Sequence, residues 1–169
     1  MPVTLEQLLE SRDRRRDRQT EIIGRHPGKT LVCLTVVLPG SVKRDARSLK
    51  VAEAGVAAVR EVLHPVWEDI LDLETGFEGY FIVDGTLEDV KRVCCLIEDS
   101  HPYGRLMDID VLEAAEGGAV PFGRERIGLP ERRCLLCDRP ARECMRAHTH
   151  TFGEIVQTID KILGFAENP

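Results

Sequence analysis

The sequence has few aromatic residues, no long apolar run and no excess of positive charge, and each shortage excludes a class of function. Aromatic residues make up 5% of the 169 residues, with one tryptophan, so a stacking platform for single-stranded nucleic acid is not expected. No apolar run reaches the roughly 18 residues that a membrane-spanning helix needs. The net charge of -6 argues against general binding to nucleic acid or anionic membranes. We therefore expect neither a nucleic-acid nor a membrane partner.

The N-terminus lacks the features of a secretion signal. Its charges follow the apolar residues, and it has no apolar core of the kind a signal peptide carries. This pattern predicts a cytoplasmic protein, in which the six cysteines are reduced thiols or metal ligands rather than disulfides. The content of 43% hydrophobic and 31% charged residues predicts a folded chain, and its length predicts a single domain over residues 1–169.

The hydrophobic periodicity predicts an α+β fold. Residues 4–24 are predicted to form an N-terminal helix, begun by a capping box. Residues 30–113 follow the order strand, helix, strand, strand, helix, strand, which is typical of a ferredoxin-like βαββαβ core. Such a core is an antiparallel sheet with its helices on one face. Gly117 begins a predicted loop, and residues 121–165 contain a Cys/His segment and a final helix.

Two carboxylates lie in the last predicted strand of this core, which covers residues 105–112. Asp108 and Asp110 project from the same side of that strand, about 6–7 Å apart along it. Two carboxylates on a mostly apolar face are costly unless they are paired or bound to a cation. Oxygen ligands of this type hold Mg²⁺ in phosphoryl transfer, so the pair is a candidate magnesium and catalytic site. In the alternative interpretation, one Asp is exposed at a strand end and the other pairs with an arginine.

The segment CLLCDRPARECMRAHTH concentrates potential metal ligands. Cys134 and Cys137 form a C-x-x-C pair, Cys144 follows, and His148 and His150 come directly after it. Three thiolates and one imidazole match a tetrahedral zinc site. Such a shell leaves no position open for a substrate, so the zinc would be structural. The alternative is a set of free thiols in a small core with surface histidines.

The basic residues are mostly arginine and are concentrated in residues 12–18 and 124–146. Arginine makes bidentate contacts to phosphate or carboxylate better than lysine does. Within the predicted N-terminal helix, Arg12, Arg15 and Gln19 share one face. These residues are candidates for binding an anionic substrate, although a solvated charged face is the alternative interpretation.

Two turns supply further candidates. The PGSVK turn leads into a predicted helix, where backbone amides and the ammonium group of Lys43 can hold an anion. The HPYGR turn directly precedes the Asp pair. In this turn, His101 is a candidate general base and Arg105 a candidate phosphate clamp. A purely structural turn histidine is the alternative for His101.

Four motifs in a fixed order carry a resemblance to a known family. They are SRDRRRDRQ, PGSVK, SHPYG followed by RLMDIDVL, and LPERRCLLCDRPARECMRAHTH. Together they resemble the citrate lyase holo-acyl-carrier-protein synthase family, also called apo-citrate lyase phosphoribosyl-dephospho-CoA transferase. The resemblance covers about residues 4–165. Tyr103 and Met107 depart from the family, which usually has Leu and Trp there, but both remain apolar.

The resemblance implies a nucleotidyltransferase-type enzyme. Its donor is 2'-(5''-triphosphoribosyl)-3'-dephospho-CoA, and its acceptor is a serine of the apo acyl carrier (gamma) subunit of citrate lyase. Diphosphate leaves, and a phosphodiester forms. For this chemistry we hypothesise that Mg²⁺ is the cofactor and that Asp108, Asp110 and His101 are the catalytic residues. The implied substrate-binding residues are Arg12, Arg15, Gln19, Lys43, Arg105, Arg124 and Arg132.

The family pattern also favours one histidine of the Cys/His segment as a zinc ligand, and it leaves other interpretations of the function open. His148 has no counterpart in the family, so Cys134, Cys137, Cys144 and His150 are the preferred zinc ligands. The segment 124–146 is the electrostatic candidate for docking the carrier. One alternative is the equivalent synthase for the malonate decarboxylase carrier. Another is a non-enzymatic zinc-bearing interaction module, which would leave the Asp pair unexplained.

Overall fold

A computed structural model of the chain describes residues 2–165 and contains a five-stranded antiparallel sheet with helices on both faces. The strands are β1 (Thr30–Val36), β2 (Trp67–Leu73), β3 (Gly76–Val83), β4 (Met107–Ala115) and β5 (Gly118–Pro121). The helices are α1 (Leu5–Arg25), α2 (Ala46–Leu63), α3 (Leu87–Ser100), α4 (Ala141–Ala147) and α5 (Phe152–Leu163). Neighbouring strands lie in the order β2-β3-β1-β4-β5 and pair antiparallel.

The first helix begins at the predicted capping box. The Thr4 side chain accepts a hydrogen bond from the Gln7 amide, and the Gln7 side chain accepts one from the Thr4 amide. These bonds satisfy backbone donors that have no partner within the helix. The helix ends at Arg25, so the predicted range of residues 4–24 is confirmed to within one residue at each end.

The end of the predicted core differs from the expectation in two ways. Gly104–Leu106 forms a 3₁₀ turn, so β4 begins at Met107 rather than at residue 105 and continues to Ala115. The predicted loop after Gly117 is wrong over Gly118–Pro121, because these residues form β5. The backbone φ angles of Gly117 and its neighbour are +93° and +124°. Glycine adopts these values without steric cost and closes a tight hairpin.

The two faces of the sheet have different cores. Helices α2 and α3 pack on one face, where alternate strand residues such as Val32, Leu34, Ile109 and Val111 are fully buried. Helix α1 packs on the opposite face, against β1, β4 and β5. The apolar cluster on that face is smaller, and the rest of the face carries polar side chains. No helix within residues 2–165 has both the length and the apolar character to cross a membrane.

Candidate functional site

The α1 face of the sheet is apolar at one end and polar at the other. At the apolar end, Ile22 of α1 packs with Leu31, Ile82 and Leu112. At the polar end, the strand register aligns two rows across β3, β1 and β4, namely Glu78–Thr35–Asp108 and Tyr80–Cys33–Asp110. Neighbouring strands lie about 4.8 Å apart, so the backbones of Glu78 and Asp108, the outer residues of the first row, lie about 10 Å apart. Both predicted Asp residues therefore lie in this polar area.

The helix above this area places two predicted substrate-binding residues against the sheet. Arg15 Nε donates to Glu78 Oε1 at 2.9 Å, and the Tyr80 hydroxyl donates to the other Glu78 oxygen. Glu78 is only 3% exposed, so these bonds compensate the cost of burying its charge. The Gln19 side chain hydrogen-bonds the buried thiol of Cys33, whose pKa is raised by its burial. Arg15 thus has an internal partner that the sequence pattern did not reveal.

The two carboxylates of β4 have different surroundings. Burial raises the pKa of Asp110 to about 6, and the neighbouring Asp108 contributes to the rise. Asp108 Oδ1 lies 3.4 Å from Arg132 Nη1. One Asp pairs with an arginine, as in the alternative interpretation, while the other is partly buried rather than exposed at the strand end. A cation beside them would offset the repulsion between the two negative charges.

Two charged residues of α3, which the sequence did not single out, hold the backbone between these carboxylates. Glu98 Oε1 accepts a hydrogen bond from the Ile109 amide at 2.8 Å, and Lys91 Nζ donates to the Ile109 carbonyl at 3.2 Å. Lys91 and Glu98 are 5% and 2% exposed. Strand β5 pairs with β4 only from Leu112 onward, so these side chains replace a strand partner at Ile109. In the sequence, the sign of their burial was their helical spacing, which places both on the buried stripe of α3.

Glu98 also forms ion pairs with two predicted substrate-binding arginines. Arg124 Nη2 donates to Glu98 Oε2 at 2.6 Å and to Asp99 Oδ1 at 3.0 Å. Arg132 Nη1 lies 3.6 Å from Glu98 Oε1, close to its contact with Asp108. A single buried carboxylate therefore fixes the strand that carries the Asp pair and two guanidinium groups beside it.

These arginines line a cavity of about 240 Å³, and one of them, Arg132, also contacts Asp108. Three predicted substrate-binding residues, Arg105, Arg124 and Arg132, meet there. The full lining is Asp99, Arg105, Arg124, Pro130, Glu131, Arg132 and Arg133. The arrangement can bind an anion beside two carboxylates that can bind a cation.

The remaining predicted residues lie elsewhere around the turns. Lys43 Nζ donates to the Leu38 carbonyl at 2.8 Å, and burial together with the nearby charge of Arg12 lowers the Lys43 pKa. His101 Nδ1 accepts a hydrogen bond from the Tyr103 amide at 3.0 Å. Within residues 2–165, no hydrogen bond or ion pair joins His101 to either Asp residue. The His101 side chain therefore caps the turn that contains Tyr103.

The Cys/His segment folds into a compact group of potential metal ligands. The ligand atoms of Cys134, Cys137, Cys144 and His150 all lie within 4.8 Å of one another. The His150 Nε2 atom is buried and has no hydrogen-bond partner within residues 2–165, which a metal bond would satisfy. A backbone hydrogen bond at Arg139 is the main cause that lowers the Cys137 pKa to about 6. The predicted ligand set is confirmed as a cluster compatible with zinc.

The local backbone explains why these ligands converge. The Cys134 amide donates to the Arg139 carbonyl at 2.7 Å, which closes the C-x-x-C turn. Helix α4 then carries Cys144 back toward this turn and ends at Ala147. His148, which follows it, has a left-handed backbone and lies outside the cluster. The geometry therefore agrees with the prediction that His150, rather than His148, is the fourth ligand.

The cluster is attached to the turn that precedes the Asp pair. Arg105 Nη2 donates to the carbonyls of Arg133 and Cys134 at 2.6 and 2.8 Å. Arg132 Nη2 donates to the Arg105 carbonyl at 3.2 Å. The segment that leads into the first cysteine therefore forms one wall of the arginine-lined cavity.

Known proteins with similar sequences are transferases. The family model described as apo-citrate lyase phosphoribosyl-dephospho-CoA transferase matches residues 3–165. A relative of that name from Citrobacter koseri is 35% identical over 171 residues, which cover 98% of this chain and 91% of the relative. One from Escherichia coli O1:K1 is 36% identical over 95% of this chain and 88% of its own. A Vibrio cholerae protein named as a probable member is 34% identical over 96% and 92%.

The site and the sequence matches indicate the same class of enzyme. An arginine-lined cavity beside paired carboxylates suits an enzyme that transfers an anionic group, and the relatives are named as enzymes of that class. The chain belongs to the apo-citrate lyase phosphoribosyl-dephospho-CoA transferase family.

Proposed function

We propose that this protein transfers the 2'-(5''-phosphoribosyl)-3'-dephospho-CoA group from its triphosphate precursor to a serine of the apo acyl carrier (gamma) subunit of citrate lyase. The observation that carries this proposal is the family match over residues 3–165. The relatives are named for citrate lyase, which does not favour the malonate decarboxylase carrier or a non-enzymatic zinc module. The arginine-lined cavity supports the proposal because the donor is a polyanion.

The Asp pair is our proposed magnesium site. Asp108 and Asp110 supply hard oxygen ligands on one side of β4, and the raised pKa of Asp110, caused first by burial and then by Asp108, reflects a cost that a divalent cation relieves. When bound, Mg²⁺ would neutralise charge on the donor phosphates. Arg132, adjacent to Asp108, is proposed to contact the same phosphates.

The remaining donor contacts are proposed for residues at the polar end of the α1 face and around the nearby turns. Exposed Arg12 and half-buried Lys43 lie close enough to repel each other, so an anion between them is favoured. Arg15 and Gln19 hold the sheet surface under the donor and contact it at their outer edges. Arg105 and Arg124 act from the cavity. In phosphoryl transfer, such positioning and charge neutralisation supply most of the catalysis.

His101 is our candidate base for the carrier serine. A neutral histidine whose Nδ1 accepts a hydrogen bond carries its proton on Nε2. To act as a base, His101 must therefore break the bond from Tyr103 or change its tautomer. Movement of this turn when the carrier binds would provide that change.

The finer points of architecture are also proposals. The strand order β2-β3-β1-β4 with two helices on one face supports a ferredoxin-like βαββαβ core, to which β5 and α1 are added. We propose that the chain forms one domain. The Cys/His cluster holds zinc as a structural ion, with Cys134, Cys137, Cys144 and His150 as its ligands.

Mass spectrometry of the apo-carrier tests the function directly. The purified chain is incubated with the triphosphoribosyl donor, Mg²⁺ and either the citrate lyase or the malonate decarboxylase apo-carrier. We expect the citrate lyase carrier alone to gain the mass of the phosphoribosyl-dephospho-CoA group. Modification of only the malonate decarboxylase carrier, or of neither carrier, would contradict the proposal.

A further inference from the structure

The arginine-lined cavity has the size of a small anion rather than of a whole cofactor. Its volume is about 240 Å³, below the roughly 300–1,000 Å³ of sites that enclose drug-sized ligands. A dephospho-CoA derivative does not fit inside it. Two linked phosphate groups do.

The charge of the lining favours such an anion. Four arginines line the cavity together with two acidic residues, Asp99 and Glu131. Glu98 and Asp108 pair with Arg124 and Arg132, so the positive charge available to a ligand comes from Arg105 and Arg133. Arginine stays protonated at all physiological pH values, so this charge is permanent. Arginine also binds phosphate oxygens through two parallel hydrogen bonds.

The arginines are held in place while some of their donors stay available. Arg105 uses Nη2 for two backbone carbonyls, and its Nε and Nη1 atoms donate to no residue within residues 2–165. Arg124 is anchored by Glu98 and Asp99. Within residues 2–165, the Arg133 side chain makes a single ion pair, with Asp138 at 3.4 Å between two exposed side chains, which is a weak pair. Arg105 and Arg133 can therefore bind a ligand without losing a strong internal contact.

The cavity adjoins the carboxylates proposed to bind the metal. Arg132 lines the cavity and lies 3.4 Å from Asp108. In the proposed transfer, the carrier serine oxygen forms a bond to the α-phosphorus. The bond from that phosphorus to the bridging oxygen breaks, its electron pair leaves with diphosphate, and the serine proton passes to the base. The contact between Arg132 and Asp108 brings a phosphate group bound in the cavity close to the proposed metal ligands.

We propose that the cavity lined by Arg105, Arg124, Arg132 and Arg133 is the subsite for the β- and γ-phosphates and holds the diphosphate leaving group. This inference rests on the proposed function for the identity of the donor. The diphosphate-binding property itself belongs to the cavity and can be measured without donor or carrier.

Calorimetric titration of the full chain with inorganic diphosphate, in the presence of Mg²⁺, tests the inference. The test variant is Arg133→Gln, because its exposed side chain makes unfolding on substitution unexpected. Arg142→Gln is the matched control, since Arg142 is exposed in the same segment and does not line the cavity. We expect the diphosphate Kd to rise about tenfold in Arg133→Gln, the loss of about one charge-assisted contact. It should not change in the control.

Three results would overturn the inference. They are failure of the wild-type chain to bind diphosphate, equal affinity of Arg133→Gln and wild type, and equal affinity for monophosphate and diphosphate. Carrier modification measured on the same preparations separates this inference from the proposed function. Transfer without arginine-dependent diphosphate binding refutes the subsite alone. Arginine-dependent binding without transfer to either carrier refutes the proposed function and leaves the diphosphate site standing.

Discussion

The carboxylate of Glu98 accepts a hydrogen bond from the amide of Ile109 at 2.8 Å, and this bond fixes the strand residue that separates Asp108 from Asp110. The same carboxylate binds Arg124. One buried residue of α3 thus determines where both the proposed metal ligands and part of the proposed phosphate site lie.

We expect Glu98→Ala to destabilise the protein by about 3–5 kcal/mol. The substitution leaves the charge of Arg124 without its buried partner and the Ile109 amide without an acceptor. Urea unfolding measures the effect, with Glu88→Ala, exposed in the first turn of α3, as the control. A loss below about 1 kcal/mol would show that Glu98 does not organise this region.

The Asp pair predicts an unusual dependence of stability on pH. The Asp110 pKa is raised to about 6, chiefly by burial and further by Asp108, so the folded chain keeps a proton that the unfolded chain releases above about pH 4. The contribution of this group to the free energy of unfolding therefore falls as pH rises from about 4 to 6.

The variant Asp110→Asn tests this dependence. Without divalent cations at pH 7.5, it should be more stable than wild type by about 1–3 kcal/mol, and its stability should fall less between pH 4 and 6. Denaturant unfolding at several pH values measures both effects. The exposed Asp17 provides the control Asp17→Asn. Lower stability of Asp110→Asn at pH 7.5 would contradict the prediction.

Asp108→Asn is expected to reduce transfer to the carrier by orders of magnitude while the protein stays folded. It removes one charged oxygen ligand from the proposed magnesium site with little change in shape. The rate is followed as mass gain of the carrier, and circular dichroism checks the fold. Transfer at a near-normal rate would eliminate the magnesium role of the pair.

Two neighbouring histidines provide a paired test of the zinc site. His150 belongs to the ligand cluster and His148 does not, so His150→Ala should lower zinc content well below one ion per chain whereas His148→Ala should retain it. Elemental analysis of protein purified under reducing conditions measures the content. Equal zinc in both variants would exclude His150 as a ligand.

The two arginines on the N-terminal helix are expected to behave differently. Arg15 neutralises buried Glu78, so Arg15→Met should cost about 3 kcal/mol of stability. Arg12 is exposed, so Arg12→Gln should leave stability within about 0.5 kcal/mol and raise KM for the donor. Thermal unfolding and donor titration separate these effects. An unchanged melting temperature for Arg15→Met would contradict the structural role of Arg15.

Local signals in the sequence predicted much of this molecule. The Thr4 capping box, the alternation of Asp108 and Asp110, and the C-x-x-C spacing each depend on residues close together in the chain. The partners of these groups depend on register instead. Arg15 meets Glu78 because β3 pairs with β1, a contact that spans 63 residues and that no short motif encodes.

The burial of Lys91 and Glu98 was unpredictable for a related reason. Helical periodicity places both on a buried stripe of α3, where charged residues are normally costly. Their burial is favourable because, within residues 2–165, the edge of β4 at Ile109 has no strand partner and offers them an amide and a carbonyl, while Arg124 also neutralises Glu98. The gap exists because β5 begins to pair with β4 only at Leu112.

The same two side chains have a consequence for the protein in crowded solution. An uncovered strand edge offers backbone donors and acceptors to any other extended chain, which is a route to aggregation. Glu98 accepts from the amide of Ile109 and Lys91 donates to its carbonyl, and β5 occupies the edge beyond it. The strand that carries the Asp pair is thereby protected from pairing with a neighbouring molecule.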